Sequence, residues 1–264
     1  LDPREDKEFV EALARGLAVI EAFDAERPEM TLSEVAEKAQ CSPAAARRSL
    51  ITLTALGYLR QNGRQFVLTP KILLLGAAYF RTAHVEDALI PELRKFVDAF
   101  GDAASVGVLS DANILYVAHQ SAGTGLRPVA GTGVTYPAHA TSMGRVLLAA
   151  APRQVVEDYV AKPLRAMTDL TVVDPDEFRA LIDQVRADGY ATSVDQLAYG
   201  VTSIAVPIVL SSGEAVAAVN SSGYTGRLTP ETLVRTRLKP LQELAGSLAL
   251  IFSRYPALLH SLAR

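Results

Sequence analysis

The stretch from Thr31 to Leu68, TLSEVAEKAQCSPAAARRSLITLTALGYLRQNGRQFVL, decides the fold. Leu32, Val35, Ala36 and Ala39 recur at helical spacing, which predicts a short amphipathic helix with Ser33 as a candidate cap. Gln40-Cys41 forms the turn, and a second helix opens with Ser42 at the cap and Pro43 at the first helical position, where a missing N–H costs nothing. Ala46, Leu50, Leu53 and Leu56 make one buried stripe along it. Ala45, Arg48 and Thr52 fall on another face beside Arg47 and Ile51, so the side away from the core offers two guanidiniums, a hydroxyl and little bulk. Gly57 ends the helix, and Tyr58–Gln61, Asn62-Gly63 and Arg64–Leu68 read as strand, two-residue turn and strand. Helix, turn, helix and hairpin make a winged helix-turn-helix, whose second helix can enter a DNA major groove.

Charge supports that expectation. Seven Lys or Arg residues lie between Lys38 and Val85 (Lys38, Arg47, Arg48, Arg60, Arg64, Lys71 and Arg81) with no Asp or Glu among them, in a chain whose net charge is −3. A local basic run in an acidic chain is a defined footprint rather than indiscriminate phosphate binding. The alternative is a winged domain used for protein contact, its arginines merely solvated.

The 264 residues allow two domains, and 49% apolar content is enough for real cores. No apolar run approaches the eighteen or so residues of a membrane span, and the acidic start Leu1-Asp-Pro-Arg-Glu-Asp6 does not read as a signal peptide, so the chain is expected to work in the cytoplasm. Cys41 is the only cysteine, which leaves neither an intrachain disulfide nor a thiolate zinc cluster.

Working outward, Phe9, Leu13, Leu17, Ile20 and Phe23 mark a support helix that closes the small N-terminal core, and Pro28-Glu29 is a loop. A winged helix-turn-helix domain is assigned to residues 9–68. Thr69-Pro70 starts a linker helix, residues 69–84, apolar nearly all round from Lys71 to Phe80. Such a helix needs cover on several sides and is expected to pack against its counterpart in a second subunit, burial within the same chain being the competing reading. Residues 85–264 are assigned to a second domain of α+β type, expected to bind an effector and to oligomerise. Its expected elements are a helix from Glu86 to Phe100, strands at Ala104–Leu109 and Ile114–Ala118, and an edge strand at Leu126–Ala130. Helices at Ser142–Ala151, Pro152–Tyr159 and Pro175–Ala187, a strand pair at Thr202–Val209 and Ala215–Ser221, and a long final helix after Thr229-Pro230 complete it.

No enzyme constellation is present. Gly131-Thr-Gly133 and Gly123-Thr-Gly125 lack the further spacing of a nucleotide loop, the four histidines show no metal-binding pair, and no Gly-x-Ser-x-Gly elbow occurs. The chain is read as a non-enzyme without a cofactor. The second domain carries small polar residues on elements that should be buried: Thr141, Ser142, Thr202, Ser203, Asn220, Ser221 and Ser222. A hydroxyl cluster near a helix start suits a small anionic ligand, with Arg127, His139 and Arg145 available to add positive charge. The competing reading is that Thr141 and Ser142 only cap the helix while the strand residues bond to backbone.

Three segments together carry a resemblance to a known family. These are Leu32–Ala39 with Ala45–Leu50 and Leu56–Leu59; Pro137-Ala-His-Ala-Thr-Ser-Met-Gly-Arg-Val-Leu-Leu-Ala149; and Asp188-Gly-Tyr190 followed by Gly200-Val-Thr-Ser-Ile-Ala-Val-Pro207. Over nearly its whole length the chain resembles the IclR family of bacterial transcription regulators. Ala14–Asp24, Met30–Ala36 and Ala140–Ala149 are similar to the branch that controls catabolism of aromatic acids such as protocatechuate and 4-hydroxybenzoate through the β-ketoadipate pathway. The resemblance implies a GAF-like effector domain, a homodimer or tetramer, a palindromic promoter operator and a small carboxylate effector, aromatic in this branch. It places Ser42, Ala45, Arg47, Arg48, Thr52, Asn62 and Arg64 toward DNA. It places Ser142, Met143, Ser193, Val201, Ser203, Asn220 and Ser222 around the effector, where Arg127, His139 and Asp195 join them. Three positions depart from the family pattern: Ser193 stands where relatives carry an acid, with Asp195 nearby; Met143 replaces a small residue; and His139 stands where the branch often has tyrosine.

Overall fold

The computed structural model describes residues 6–123 and 131–262. The chain divides into two compact units between Tyr79 and Phe80.

In the first unit, α1 (Glu11–Glu21) precedes β1 (Glu29–Thr31), α2 (Leu32–Lys38), α3 (Pro43–Ala55), β2 (Leu59–Asn62) and β3 (Gln65–Leu68). The strands form an antiparallel sheet in the order β1-β3-β2. Glu29 therefore belongs to a strand rather than a loop, since Glu29 to Thr31 pair with Val67 to Gln65. Thr31, not Ser33, caps α2 through a capping box: its Oγ1 accepts from Glu34 N–H while the Glu34 carboxylate takes the Thr31 backbone N–H at 2.7 Å. Ser42 and Pro43 start α3 as expected, Ser42 Oγ accepting from Ala45 N–H at 3.3 Å. The hairpin turn is Gly63-Arg64, one residue later than the sequence suggested, because Asn62 pairs with Gln65 and Gly63 supplies the positive φ of +61°.

Val19, Ala22, Met30, Val35, Leu50, Leu53, Leu59 and Phe66 build the core of this unit. Three expectations about faces need correction. Leu13 and Leu17 on α1, and Leu56 at the end of α3, are exposed, whereas Val19 of α1 and Ala22 just past its end are buried. Ala45 is only 5% exposed, so it faces inward rather than toward a partner.

Thr69 caps a short 3-10 turn, Pro70–Ile72, which leads into α4 (Leu73–Ala83). Leu73, Leu74 and Leu75 are 70%, 56% and 48% exposed among the described residues. The expected single helix from Glu86 to Phe100 is two, α5 (Val85–Ala88) and α6 (Ile90–Phe100). Pro91 explains the break: it lacks an N–H and its ring would strike the carbonyl four residues back in a continuous helix.

The second unit continues with β4 (Ala103–Ser110), β5 (Asn113–Ser121), β6 (Thr135–Pro137), α7 (Ser142–Ala150), α8 (Arg153–Val160) and α9 (Pro175–Asp188). Then follow β7 (Ala191–Val194), β8 (Val201–Val209), β9 (Ala215–Tyr224), α10 (Pro230–Arg254) and α11 (Pro256–Leu262). Six strands form one antiparallel sheet in the order β6-β5-β4-β9-β8-β7. The expected edge strand Leu126–Ala130 lies outside the described residues; among those described, β6 lies beside β5 at that edge. The architecture is a winged helix-turn-helix unit followed by a mixed α/β domain.

Strand alternation assigns each side chain to a face. On one face α7 and α9 pack over Ile114, Tyr116, Ala205 and Ala218, with Met143, Val146, Leu147, Phe178 and Ile182 between the layers. On the other lies α10, with Pro240 in its interior. Its buried Arg237 contacts Ser221 Oγ at 3.5 Å and donates to the Phe100 carbonyl at the end of α6 at 2.7 Å.

Candidate nucleic-acid interface and effector site

The outward side of α3 presents Ala44, Arg47, Arg48, Ile51 and Ala55, all exposed. Ser42 and Thr52 are exposed too, as are Asn62 and Arg64 at the hairpin tip. Among the described residues no carboxylate pairs with Arg47, Arg48, Arg60 or Arg64. The basic run is thinner than the sequence suggests. Lys38 is paired with Asp24, and Lys71 Nζ donates to the Leu56 carbonyl at 2.7 Å while lying 5.0 Å from the Tyr58 ring centroid. What remains is an arginine patch on α3 and the hairpin, suited to bidentate contact with phosphate or guanine. Arg48 and Thr52 also border a groove of 510 Å³ against Leu13, Leu17 and Leu56.

In the second unit, Thr141 caps α7 by accepting from Gly144 N–H at 3.0 Å. Gly144 is required here: a Cβ would stand 2.2 Å from the Ala138 carbonyl oxygen, because the 3-10 turn Ala138–Ala140 runs against the first turn of α7. The start of α7 meets polar positions on the sheet. Ser142 Oγ and Ser203 Oγ lie 2.8 Å apart in one hydrogen bond, and Ser193 Oγ donates to the Ala140 carbonyl at 3.3 Å. The register aligns two transverse rows on this face. One runs Ser193, Ser203, Ser222, Ala103, Ser121; the next runs Ala191, Ala205, Asn220, Ser105, His119. Asn220 Oδ1 accepts from Ser105 N–H at 3.0 Å, and Ser105 Oγ lies 2.9 Å from His119 Nδ1. Val201 and Ser222 are half-buried on the same face. Met143 is fully buried, its thioether against Gly107 and Ile114 where no larger residue than glycine fits at 107 without displacing it.

Ser142, Ser193, Ser203 and Asn220 are thus brought together under α7 with Ser222 beside them. The structure adds Ser105 and His119, which sequence reading missed; their signal lay only in the strand register. Thr202 lies in β8 on the opposite face, its buried Oγ1 without a partner among the described residues.

The charged residues do other work. His139 is buried, with Nε2 2.9 Å from the Arg165 carbonyl and Nδ1 2.8 Å from Tyr159 Oη, which also accepts the His139 backbone N–H at 3.0 Å. That pattern fits one neutral tautomer, Nε2–H donating and Nδ1 accepting. Burial also pushes its pKa down, so His139 supplies no positive charge, contrary to expectation. Arg145 is buried as well: it donates to the His139 carbonyl at 2.9 Å, the Thr192 carbonyl at 3.0 Å and Gln196 Oε1. Burial lowers its pKa to about 10, which leaves it charged at neutral pH. Asp195, in the left-handed region at φ +54°, spends one carboxylate oxygen on Gly200 N–H at 2.6 Å and Thr225 Oγ1 at 3.0 Å, holding the β7–β8 loop. Arg127 lies outside the described residues. No cluster of three or more potential metal ligands occurs among the described residues, and no described helix is long and apolar enough to cross a membrane.

An arginine-bearing recognition helix and wing, joined to a sheet domain with a polar floor under a helix start, define a DNA-binding regulator with an effector domain. Residues 12–63 match the IclR helix-turn-helix domain and residues 77–249 the bacterial transcriptional regulator IclR C-terminal domain. The Pca regulon regulatory protein of Pseudomonas putida is 39% identical over 230 residues, 86% of this chain and 79% of that protein. The p-hydroxybenzoate hydroxylase transcriptional activator of Acinetobacter baylyi is 32% identical over 248 residues, 92% of each chain. The crystal structure of an IclR homolog complexed with 4-hydroxybenzoate, from Microbacterium hydrocarbonoxydans, aligns with a TM-score of 0.71 at 25% identity, covering 92% of this chain and 99% of that one. The chain belongs to the IclR family of bacterial transcriptional regulators.

Proposed function

We propose that this regulator controls genes of aromatic acid breakdown and that its effector is a small aromatic carboxylate held between the start of α7 and the sheet. The observation that carries the reading is the meeting of Ser142 at the start of α7 with Ser193, Ser203 and Ser222 in one row of the sheet and Asn220 in the next. Free N–H groups at a helix start favour a carboxylate, and the buried apolar surface of Met143 beside them favours a ring. The names of the Pseudomonas and Acinetobacter relatives and the Microbacterium complex point the same way. Acting in the cytoplasm as a dimer or tetramer joined through residues 69–84, the protein would set Ser42, Arg47, Arg48, Thr52, Asn62 and Arg64 against both halves of a palindromic operator. Ala45, being buried, leaves that set. The effector acts only through its difference in affinity for the arrangements that match and miss the operator spacing.

Thermal unfolding of the full chain across benzoate, 4-hydroxybenzoate, protocatechuate, glyoxylate and pyruvate tests the effector class, since binding to the folded state raises the transition. Shifts confined to the ring acids are expected. Shifts from the keto acids alone would move the protein to another pathway, and a flat panel would remove the effector reading while leaving the DNA-binding assignment in place.

A further inference from the structure

Successive residues of a helix advance by about 100°, so Ala44, Ile51 and Ala55 fall within about 20° of one line along the outward face of α3, with Arg47 about 60° to one side of it and Arg48 about 40° to the other. That central line is apolar, and on it Ile51 alone carries a side chain larger than a methyl group. Ile51 is 56% exposed, in a helix whose inward residues Ala46, Leu50 and Leu53 already close the core. Among the described residues it also takes no place in the 510 Å³ groove, where Leu13, Leu17, Leu56 and Leu75 gather. The leucines of that groove face one surface, and Ile51 faces another.

We propose that Ile51 reads a thymine of the operator by packing against its C5 methyl group. The inference rests on the placement of α3 against the operator proposed above. Of the groups that base pairs present in the major groove, the thymine methyl alone is apolar; the others donate or accept hydrogen bonds. Ala44, Ile51 and Ala55 have no side-chain donor or acceptor, so the centre of the helix reads no base by hydrogen bonding. That task falls to the flanking guanidiniums, for which guanine is the matching base. The two alanines let the backbone approach the base edges, and Ile51 fills the space one turn beyond the arginines. Packing it on a methyl removes from water an apolar surface that the free protein exposes. A cytosine at that position lacks the methyl and offers an amino donor that Ile51 cannot meet. Arg47 and Ile51 are four residues apart, a rise of about 6 Å, close to two base steps of about 3.4 Å. The thymine therefore lies about two base pairs from the contact of Arg47.

The test starts from duplexes that the full chain selects out of a random pool and measures dissociation constants at one fixed salt concentration. Each thymine of a selected duplex is replaced in turn by deoxyuridine, which removes the methyl and keeps the base pairing. The wild type should bind about fourfold more weakly when one particular thymine of a half-site is replaced, the worth of one buried methyl group. Ile51→Ala should not distinguish thymine from deoxyuridine there and should keep the salt dependence of the wild type, since no phosphate contact is lost. Ile51 is exposed, so the substitution spares the core, and the deoxyuridine series on the wild type needs no variant at all. A wild type indifferent to every methyl overturns the proposal, as does an Ile51→Ala protein that still discriminates. Arg47→Ala and Arg48→Ala separate the two readings. If both leave affinity and salt dependence unchanged, α3 is not in the groove and its placement falls with the proposal; if they weaken binding while the methyl series is flat, only the proposal falls.

Discussion

His139 and His119 have pKa values lowered by the same physical cause, desolvation, and are held differently. His139 has both ring nitrogens engaged by protein groups and ties the turn before α7 to Tyr159 and Arg165, whereas among the described residues His119 has a partner at Nδ1 alone. Both have pKa values held below the usual histidine value by burial. As pH falls below about 6.5, the unfolded chain takes up protons first. Stability that is fully present above that value is therefore lost progressively as pH falls toward the folded values. The unfolding midpoint should drop between pH 7.5 and 5.5, and the drop should be smaller in His139→Gln than in the wild type. Equal slopes in the two proteins would remove His139 as a source. At this scale the sequence was informative about Ser142 and Ser203, hydroxyls on otherwise apolar elements. It was silent about Ser105 and His119, whose place depends on which residues of four strands share a row.

Among the elements, α3 and α7 were legible because their starts carry explicit signals, Ser42-Pro43 and Thr141. The three-residue strands β1 and β6 were not, since only pairing with distant residues makes them strands. Periodicity identified α1 as amphipathic but could not say which apolar residues its own chain would cover, so Leu13 and Leu17 were placed inward and stand exposed. The packing of α7 is the tightest requirement in the second unit. Gly144→Ala would drive a Cβ into backbone at Ala138, not into a movable side chain, so α7 must shift. A loss of about 3 kcal/mol is expected, at the upper end for overpacking, read as a lowered thermal midpoint together with loss of effector-induced stabilisation. A Gly144→Ala protein as stable as wild type would show that the turn before α7 can yield.

For the whole molecule, the exposed leucines of α4 make a subunit contact the simplest account of an apolar run left uncovered among the described residues. Leu74→Glu should lower the mass seen by light scattering at micromolar concentration and weaken operator binding more than it changes thermal stability. An unchanged mass would move the contact elsewhere. The boundary between the two units falls inside α4, between Tyr79 and Phe80, and so within continuous helix rather than in a loop. An α-helix turns by about 100° with each residue. Chain length in α4 is therefore also an angular setting: one residue added there would turn the helix surface beyond it through more than a quarter of a circle, while seven would return it almost to its azimuth. Within α4, an inserted or deleted residue is therefore a rotation of one part of the helix surface against the other, phased to the helical turn.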